Sequence, residues 1–278
     1  MQRKRLEDMN LLDDFLFNAV MTFPGIGERF CRLLLQVVLG REIGRLRVVA
    51  QRAFGGRDEG FRGARLDVLA EEELMDVLAD PSVFDIEPDN NGDVVSLKDL
   101  PKRVRFYHAI IDSRCLKKGE GFGKLKRVFV IFVCSYDPFD RGRMVYTIRN
   151  MCEEIPEMEY DDGLRTVFLN TKGDGAGVPE ELVALLRFLE DTREVNAVND
   201  VLRELLEMVR VVKEDGKVTG ELSTMEFSIA MLASGGWSNK EIGEHLGISI
   251  NTVKHYLTDI FCKLNVKKRD ELKKFMLK

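Results

Sequence analysis

The sequence predicts an α/β domain followed by a small all-α domain, and three observations carry that reading. Apolar residues change from helical spacing to alternation and back, in the order helix, three strands, helix, strand, between residues 10 and 134. A glycine-rich break at 171–179 then gives way to apolar positions at helical spacing. Residues 222–278 close the chain with two short helices joined by a glycine turn, the form of a helix-turn-helix.

Residues 10–23 have helical apolar spacing that Pro24-Gly25 breaks, and a second helix runs from Gly27 to Leu39 and stops at Gly40. Strands follow at 46–51, at Ala64–Ala70 and at Val83–Pro88, with a loop around Gly55-Gly56 and an acidic connection over Glu71–Asp80. Pro101 is expected to start a long helix reaching about Leu116, because proline is favoured in a first turn. Arg127–Cys134 is apolar almost throughout, as in a strand covered on both faces. Met144–Arg149 and Thr166–Asn170 read as further strands, and Glu180–Val212 as one or two helices. The domain boundaries follow as 1–179, a helical extension at 180–213, a linker at 214–221 and the terminal domain at 222–278.

Charge is segregated between the two domains. The last 57 residues carry nine Lys/Arg and six Asp/Glu, net +3, while the first 221 carry 33 and 41, net −8, within a chain of formal charge −5. A positive patch on an acidic protein points to a localised nucleic-acid contact. Five cysteines at wide spacings, without a CxxC pair, argue against a zinc site or a disulfide framework. Cys31 and Cys134 lie in apolar runs and read as small buried hydrophobes. With no apolar run of about 18 residues and no signal-peptide core, the chain is expected in the cytoplasm and not in a membrane.

In the terminal domain Ser238 is placed to cap the first helix, Ile242 and Leu246 face inward, and Gly247 ends it where φ > 0 is wanted. Ser249 caps the second helix. There Val253, Leu257 and Ile260 form the buried stripe, which leaves Asn251, Thr252, Lys254, His255 and Thr258 outward. Short polar groups suit base edges and lysine suits phosphate, and Lys267 and Lys268 extend the basic face. The motifs at Leu222–Glu226, Gly236–Ile242, Ile248–Lys254 and Lys263–Val266 resemble the LuxR-type helix-turn-helix domain over about 55 residues. The resemblance implies double-stranded DNA as partner, Thr252–Lys263 as recognition helix, and Arg269–Leu277 as a helix through which the chain forms a homodimer. Met225 and Tyr256 depart from its usual residues.

The first domain carries a carboxylate pattern: Asp67 on one strand, and Asp85, Glu87 and Asp89 in alternation on the next. Phe84 and Ile86 face the opposite way, and a hairpin brings Asp67 near Glu87. Gathered carboxylates repel unless a cation joins them, so the pattern suits Mg²⁺ or Mn²⁺ beside a phosphodiester. The alternative is an acidic hairpin whose side chains meet solvent. Arg103 and Tyr107, four apart, share a helix face, with Arg105 and His108 toward solvent. Glu28 is a further, weaker ligand candidate.

Arg65–Val68, Asp85–Glu87, Pro101–Asp112, Lys118–Glu120 and Val130–Phe139 together resemble the PD-(D/E)xK nuclease family transposases, relatives of the Rpn recombination-promoting nucleases. That resemblance implies a restriction-endonuclease-like core of order α-β-β-β-α-β. It also implies Asp67 and Glu87 as ligands of a catalytic Mg²⁺ or Mn²⁺, position 89 in the third active-site element, and Arg103 and Tyr107 as strand-positioning residues. Asp89 departs from it, because an aspartate offers no cation or amide donor to a nucleophilic water.

Three functions follow. One is a metal-dependent DNA endonuclease targeted by the helix-turn-helix. Another is a non-catalytic transcriptional regulator that uses the first domain for dimerisation or sensing. The third is a response regulator or quorum-signal receptor, which ranks last because the first domain shows neither the acidic pair, central aspartate and late lysine of the one nor the ligand-pocket tryptophan of the other.

Overall fold

The structure is a computed structural model describing residues 6–54, 64–73, 81–116, 118–214, 224–246, 248–264 and 266–272. After a short 3-10 turn at Leu6–Asp8, two helices, α1 (Asp14–Thr22) and α2 (Gly27–Leu39), precede the strands β1 (Leu46–Phe54), β2 (Ala64–Glu72) and β3 (Ser82–Asp89). Then come α3 (Val94–Cys115), β4 (Arg127–Cys134), β5 (Val145–Ile148), β6 (Leu164–Asn170), α4 (Glu180–Glu190) and α5 (Asp200–Glu214). The terminal unit consists of α6 (Thr224–Ser234), α7 (Asn239–Leu246), α8 (Ile250–Lys263) and a 3-10 turn at Arg269–Leu272. An α/β core on a mixed sheet followed by an all-α helix-turn-helix is thus the observed architecture, in the expected element order.

The six strands lie in the order β1-β2-β3-β4-β6-β5. The first three are antiparallel to their neighbours, β3, β4 and β6 run parallel, and β5 closes the far edge antiparallel to β6. Side-chain alternation divides the apolar residues between two layers. Val68, Phe84, Ile86, Ile131, Val133 and Leu169 pack in the layer that holds α1, α2, α4 and α5. Leu69, Val83, Val130, Phe132 and Phe168 meet Leu100, Val104 and Ile111 of α3 on the other face. All eight residues of β3 are therefore buried. A central strand flanked by two helical layers has no solvent face, which is decisive for its carboxylates.

Some boundaries differ from expectation. Pro101 lies inside α3 rather than at its start, since the helix begins at Val94, and the Leu97 N–H donates to Asp93 O at 3.0 Å. Proline removes one helical hydrogen bond, but Leu100, Val104 and Ile111 bury against the sheet and hold the turns on either side. The 180–213 segment divides into α4 and α5, joined through a 3-10 turn at Glu194–Asn196. Gly40 ends α2 with φ 61, and its N–H donates to Gln36 O, a left-handed cap that glycine adopts without a Cβ clash. Most of the expected linker, and the terminal residues 273–278 of the expected dimer helix, lie outside the described residues.

The terminal unit docks on α1. Phe15 and Phe227 meet edge to face with ring centroids 5.1 Å apart, and the apolar layer on the α1 side continues through Ile229, Leu232, Val253 and Leu257. Beside that contact Asp14, Asn18, Ser228, Met231, His245 and Leu246 line a cleft of about 130 Å³.

Candidate functional site

The helix-turn-helix is built by local hydrogen bonds that its sequence specifies. Ser238 and Glu241 form a reciprocal capping box: the Glu241 N–H donates to Ser238 Oγ at 3.3 Å and the Ser238 N–H to Glu241 Oε2 at 2.7 Å. At the start of α8 the Thr252 N–H donates to Ser249 Oγ at 3.1 Å, and the two hydroxyls lie 2.8 Å apart. Between the helices the Ile248 N–H donates to Gly243 O at 2.9 Å, and a Cβ at Gly243 would lie 2.7 Å from Ile248 O. Glycine at 243 is what lets the two backbones approach. The turn residue Gly247 lies outside the described residues.

Val253, Leu257 and Ile260 are buried, as the apolar spacing requires. Asn251, Lys254, His255 and Thr258 are exposed on the other side of α8, with Thr252 half-buried and Ser249 exposed at its start. Lys267 and Lys268 are exposed beyond its end. Docking on α1 uses α6 and α7, so the outer face of α8 stays open. Arg269, next to Lys267 and Lys268, turns inward: its guanidinium donates to Trp237 O at 2.7 Å and to Asn239 Oδ1 at 2.6 Å. It ties the unit together, and burial lowers its pKa.

The carboxylates of the α/β unit are gathered, as their alternation predicts, but inside the protein. Asp85 is fully buried and Glu87 is 4% exposed. Glu87 Oε1 accepts a 2.8 Å hydrogen bond from the Asp67 N–H, where the β2–β3 ladder ends at Val68 and Ile86. Burial raises the pKa of Asp67, Asp85 and Glu87 well above the usual carboxylate range, and their mutual repulsion raises it further. With every group ionised, both Asp85 oxygens are buried without a donor. A proton shared by Asp85 and Glu87 would relieve this, in keeping with the raised pKa of both.

Asp89, at the end of β3, is bound differently. Its Oδ2 accepts from Arg103 Nη2 at 2.8 Å and its Oδ1 from the Asn91 N–H at 2.8 Å. The Arg103 guanidinium lies 4.7 Å from the Phe132 ring centroid and 5.8 Å from that of Tyr107. Tyr107 stacks on Phe132 at 6.4 Å. Arg103 is thus the cation of the cluster, held between aromatic rings and a carboxylate.

Residues 221–276 match the family described as "Bacterial regulatory proteins, luxR family". The terminal unit is similar to that family over its whole length. The chain is also 28% identical over 156 residues to the oxygen regulatory protein NreC of Staphylococcus carnosus, a match covering 54% of this chain and 62% of that protein. It is 42% identical over 57 residues to the NreC proteins of Staphylococcus epidermidis and Staphylococcus aureus, 20% of this chain and 26% of each relative. The chain therefore spans less than two thirds of these relatives. Because 156 residues exceed the length of the terminal unit, the first of these matches reaches into the α/β unit. No solved structure matches the chain, so the restriction-endonuclease-like description of the core, which the nuclease resemblance implied, has no structural match behind it.

These findings correct the nuclease reading. The matched proteins are regulators, not nucleases or transposases, and among the described residues no group of three or more His, Cys, Asp and Glu side chains is arranged to hold a metal ion. The geometry gives the reason: Glu87 is engaged by a backbone N–H and by Asp85, and Asp89 by Arg103 and Asn91. Asp67 and Glu87 as Mg²⁺ or Mn²⁺ ligands, and Asp89, Arg103 and Tyr107 as parts of a hydrolase site, are withdrawn with that reading. Glu28 is likewise committed, accepting from the Leu46 N–H at 3.1 Å and ion-paired with Arg32 at 3.1 Å.

His108, expected toward solvent, is buried with Nε2 3.0 Å from Thr166 Oγ1, and burial lowers its pKa to about 4. Arg105 is exposed as expected, and Cys31 and Cys134 are buried free thiols. The sequence reading did not single out Asp14. Its place at the cleft beside the terminal unit could have been suspected from the Asp13-Asp14 pair inside an otherwise apolar segment.

Proposed function

We propose that the chain is a DNA-binding transcriptional regulator in which the α/β unit is the input or dimerisation module and the helix-turn-helix is the output. The observation that carries this reading is the outer face of α8: Asn251, Thr252, Lys254, His255 and Thr258 project from a helix whose inner face is locked by Val253, Leu257 and Ile260. Lys254, Lys267 and Lys268 contact phosphates, and the short polar side chains reach base edges in the major groove of double-stranded DNA. The functional chain is a homodimer on a site of two-fold symmetry. The NreC match, which extends beyond the terminal unit, supports a regulator built of an input and an output part. No helix among the described residues is long and apolar enough to cross a membrane.

The test is fluorescence anisotropy on duplexes selected from random sequence by the full chain. Binding should strengthen on a two-fold symmetric site and weaken as salt rises, because each Lys–phosphate contact releases condensed counterions. Equal affinity for selected and scrambled duplexes would overturn the reading.

A phosphoacceptor input of response-regulator type is a second reading, favoured by the same NreC match. The sheet of the input unit bears on it, because its first three strands are antiparallel, whereas the doubly wound order 2-1-3-4-5 is all parallel. Acetyl phosphate that raises DNA affinity and labels an aspartate in the α/β unit would select this version. Absence of label, with DNA binding intact, would leave the dimerisation role.

A further inference from the structure

The far edge of the sheet carries an unpartnered apolar surface. β5 is the terminal strand, and Ile148 at its end is followed by Met151, Ile155, Met158 and Tyr160 in the loop leading to β6. These five large side chains are between 44% and 58% exposed. Singly exposed apolar residues are ordinary on a protein surface, but five within thirteen residues on a sheet edge mark a contact surface. Interleaved with them are Glu153, Glu154, Glu157, Glu159, Asp161 and Asp162, and no Lys or Arg occurs from 150 to 162. Asp161 is committed to Arg127 and Arg165, while Glu153, Glu157 and Glu159 are exposed on the loop.

The matching surface is on the same molecule. Lys254 is exposed on the outer face of α8, with Ile250 exposed at its start, and Lys267 and Lys268 are exposed beyond its end. The chain's own terminal unit does not serve, because it docks on α1, and α1 packs on β1 and β2 at the opposite edge of the sheet. Five strand spacings of about 4.8 Å separate β1 from β5 by roughly 24 Å.

We propose that Ile148 and residues 150–162 dock the basic DNA-reading face of a second copy of this chain, a head-to-tail contact distinct from the homodimer that binds a two-fold site, so that this contact and DNA binding exclude one another. The inference rests on the assignment of the α8 face to DNA. Carboxylates on the loop take the positions that phosphates take in the DNA complex, and Met151, Ile155 and Met158 supply apolar contact that DNA lacks. By linkage, duplex that occupies the α8 face lowers the affinity of the copies for each other by the same factor by which self-association lowers the affinity for duplex.

The test is sedimentation velocity of the full chain with two charge-reversal variants. One carries Glu153→Lys, Glu154→Lys and Glu157→Lys; the other carries Lys254→Glu, Lys267→Glu and Lys268→Glu. The wild-type chain should show a head-to-tail association step, beyond the homodimer, that weakens as salt rises from about 50 to about 200 mM and is lost when a selected duplex is added. Each variant alone should lack the step, and the two mixed in equal amounts should regain it, because the reversed loop of one then faces the reversed helix of the other. The loop variant should bind duplex as tightly as wild type at concentrations below the association. Persistence of that salt-sensitive, duplex-sensitive step in the loop variant, or its failure to return in the mixture, overturns the proposal. Failure of wild-type DNA binding with the charge-swap rescue intact would instead sink the DNA assignment and leave the contact between copies standing.

Discussion

Two regions of this molecule concentrate polar side chains at regular spacing, the outer face of α8 and the inner face of β3, and they have opposite fates. On α8 the apolar stripe of Val253, Leu257 and Ile260 anchors the helix and turns Asn251, Lys254, His255 and Thr258 to solvent, where a ligand can reach them. On β3 both sheet faces are covered, so Asp85, Glu87 and Asp89 point into protein, where Glu87 accepts from the Asp67 N–H and Asp89 pairs with Arg103. Regular spacing tells which side chains share a face. It does not tell whether that face is wet. A polar face over one apolar stripe is a binding surface; a polar face in a three-layer core is a structural network whose charges must be neutralised from within.

The comparison can be broken most strongly at Arg103. Arg103→Ala leaves Asp89, 6% exposed, without its cation and should destabilise the α/β unit by about 2–4 kcal/mol, less than a fully buried pair because the arginine is partly exposed. Chemical denaturation measures this, and a loss below about 0.5 kcal/mol, the scatter of surface substitutions, would show that the pair is solvated.

Next is Gly243→Ala, whose Cβ would meet Ile248 O at 2.7 Å. Overpacking at that turn should cost about 1–3 kcal/mol and reduce DNA affinity, because the angle between α7 and α8 must open. Unchanged duplex binding would mean that the turn tolerates the methyl group.

A smaller effect is expected from pH. Asp67, Asp85 and Glu87 bind their protons more tightly in the folded chain than in the unfolded one, so the native state holds extra protons above the ordinary carboxylate pKa of about 4. Stability should therefore fall as pH rises from that value toward neutrality. Glu87→Gln should flatten the decline, and denaturation midpoints between pH 5 and 8 that are equally steep in wild type and variant would contradict the paired-carboxyl description.

The terminal unit was legible because its determinants are local. Ser238, Ser249 and the 253-257-260 stripe lie within one or two helical turns of the groups they bind or cover. The strands of the α/β unit were legible for the same reason, down to Arg127–Cys134. What the sequence could not reveal depended on contacts distant along the chain. Pro101 continues a helix because the sheet holds Leu100 and Val104, and His108 is buried because β6 places Thr166 beside it, 58 residues away. Asp67 and Glu87 meet as their spacing suggests, yet it is the α3 layer, with Arg103 and Tyr107, that closes over them. A resemblance carried by those same residues implied a metal site, whereas in the structure Glu87 meets a backbone N–H and Asp89 a guanidinium.

The most direct test compares duplex affinity across salt for wild type, Lys254→Ala and Glu87→Gln, each with and without Mg²⁺. Lys254→Ala should weaken binding and reduce the slope of log affinity against log salt by about 1.8, one phosphate contact in each of the two copies. Glu87→Gln should bind as wild type does, with no change on adding Mg²⁺ beyond that of ionic strength. An unchanged salt slope in Lys254→Ala, or DNA binding that depends on Glu87 and Mg²⁺, would contradict the account of an output helix that meets DNA and a carboxylate cluster that does not.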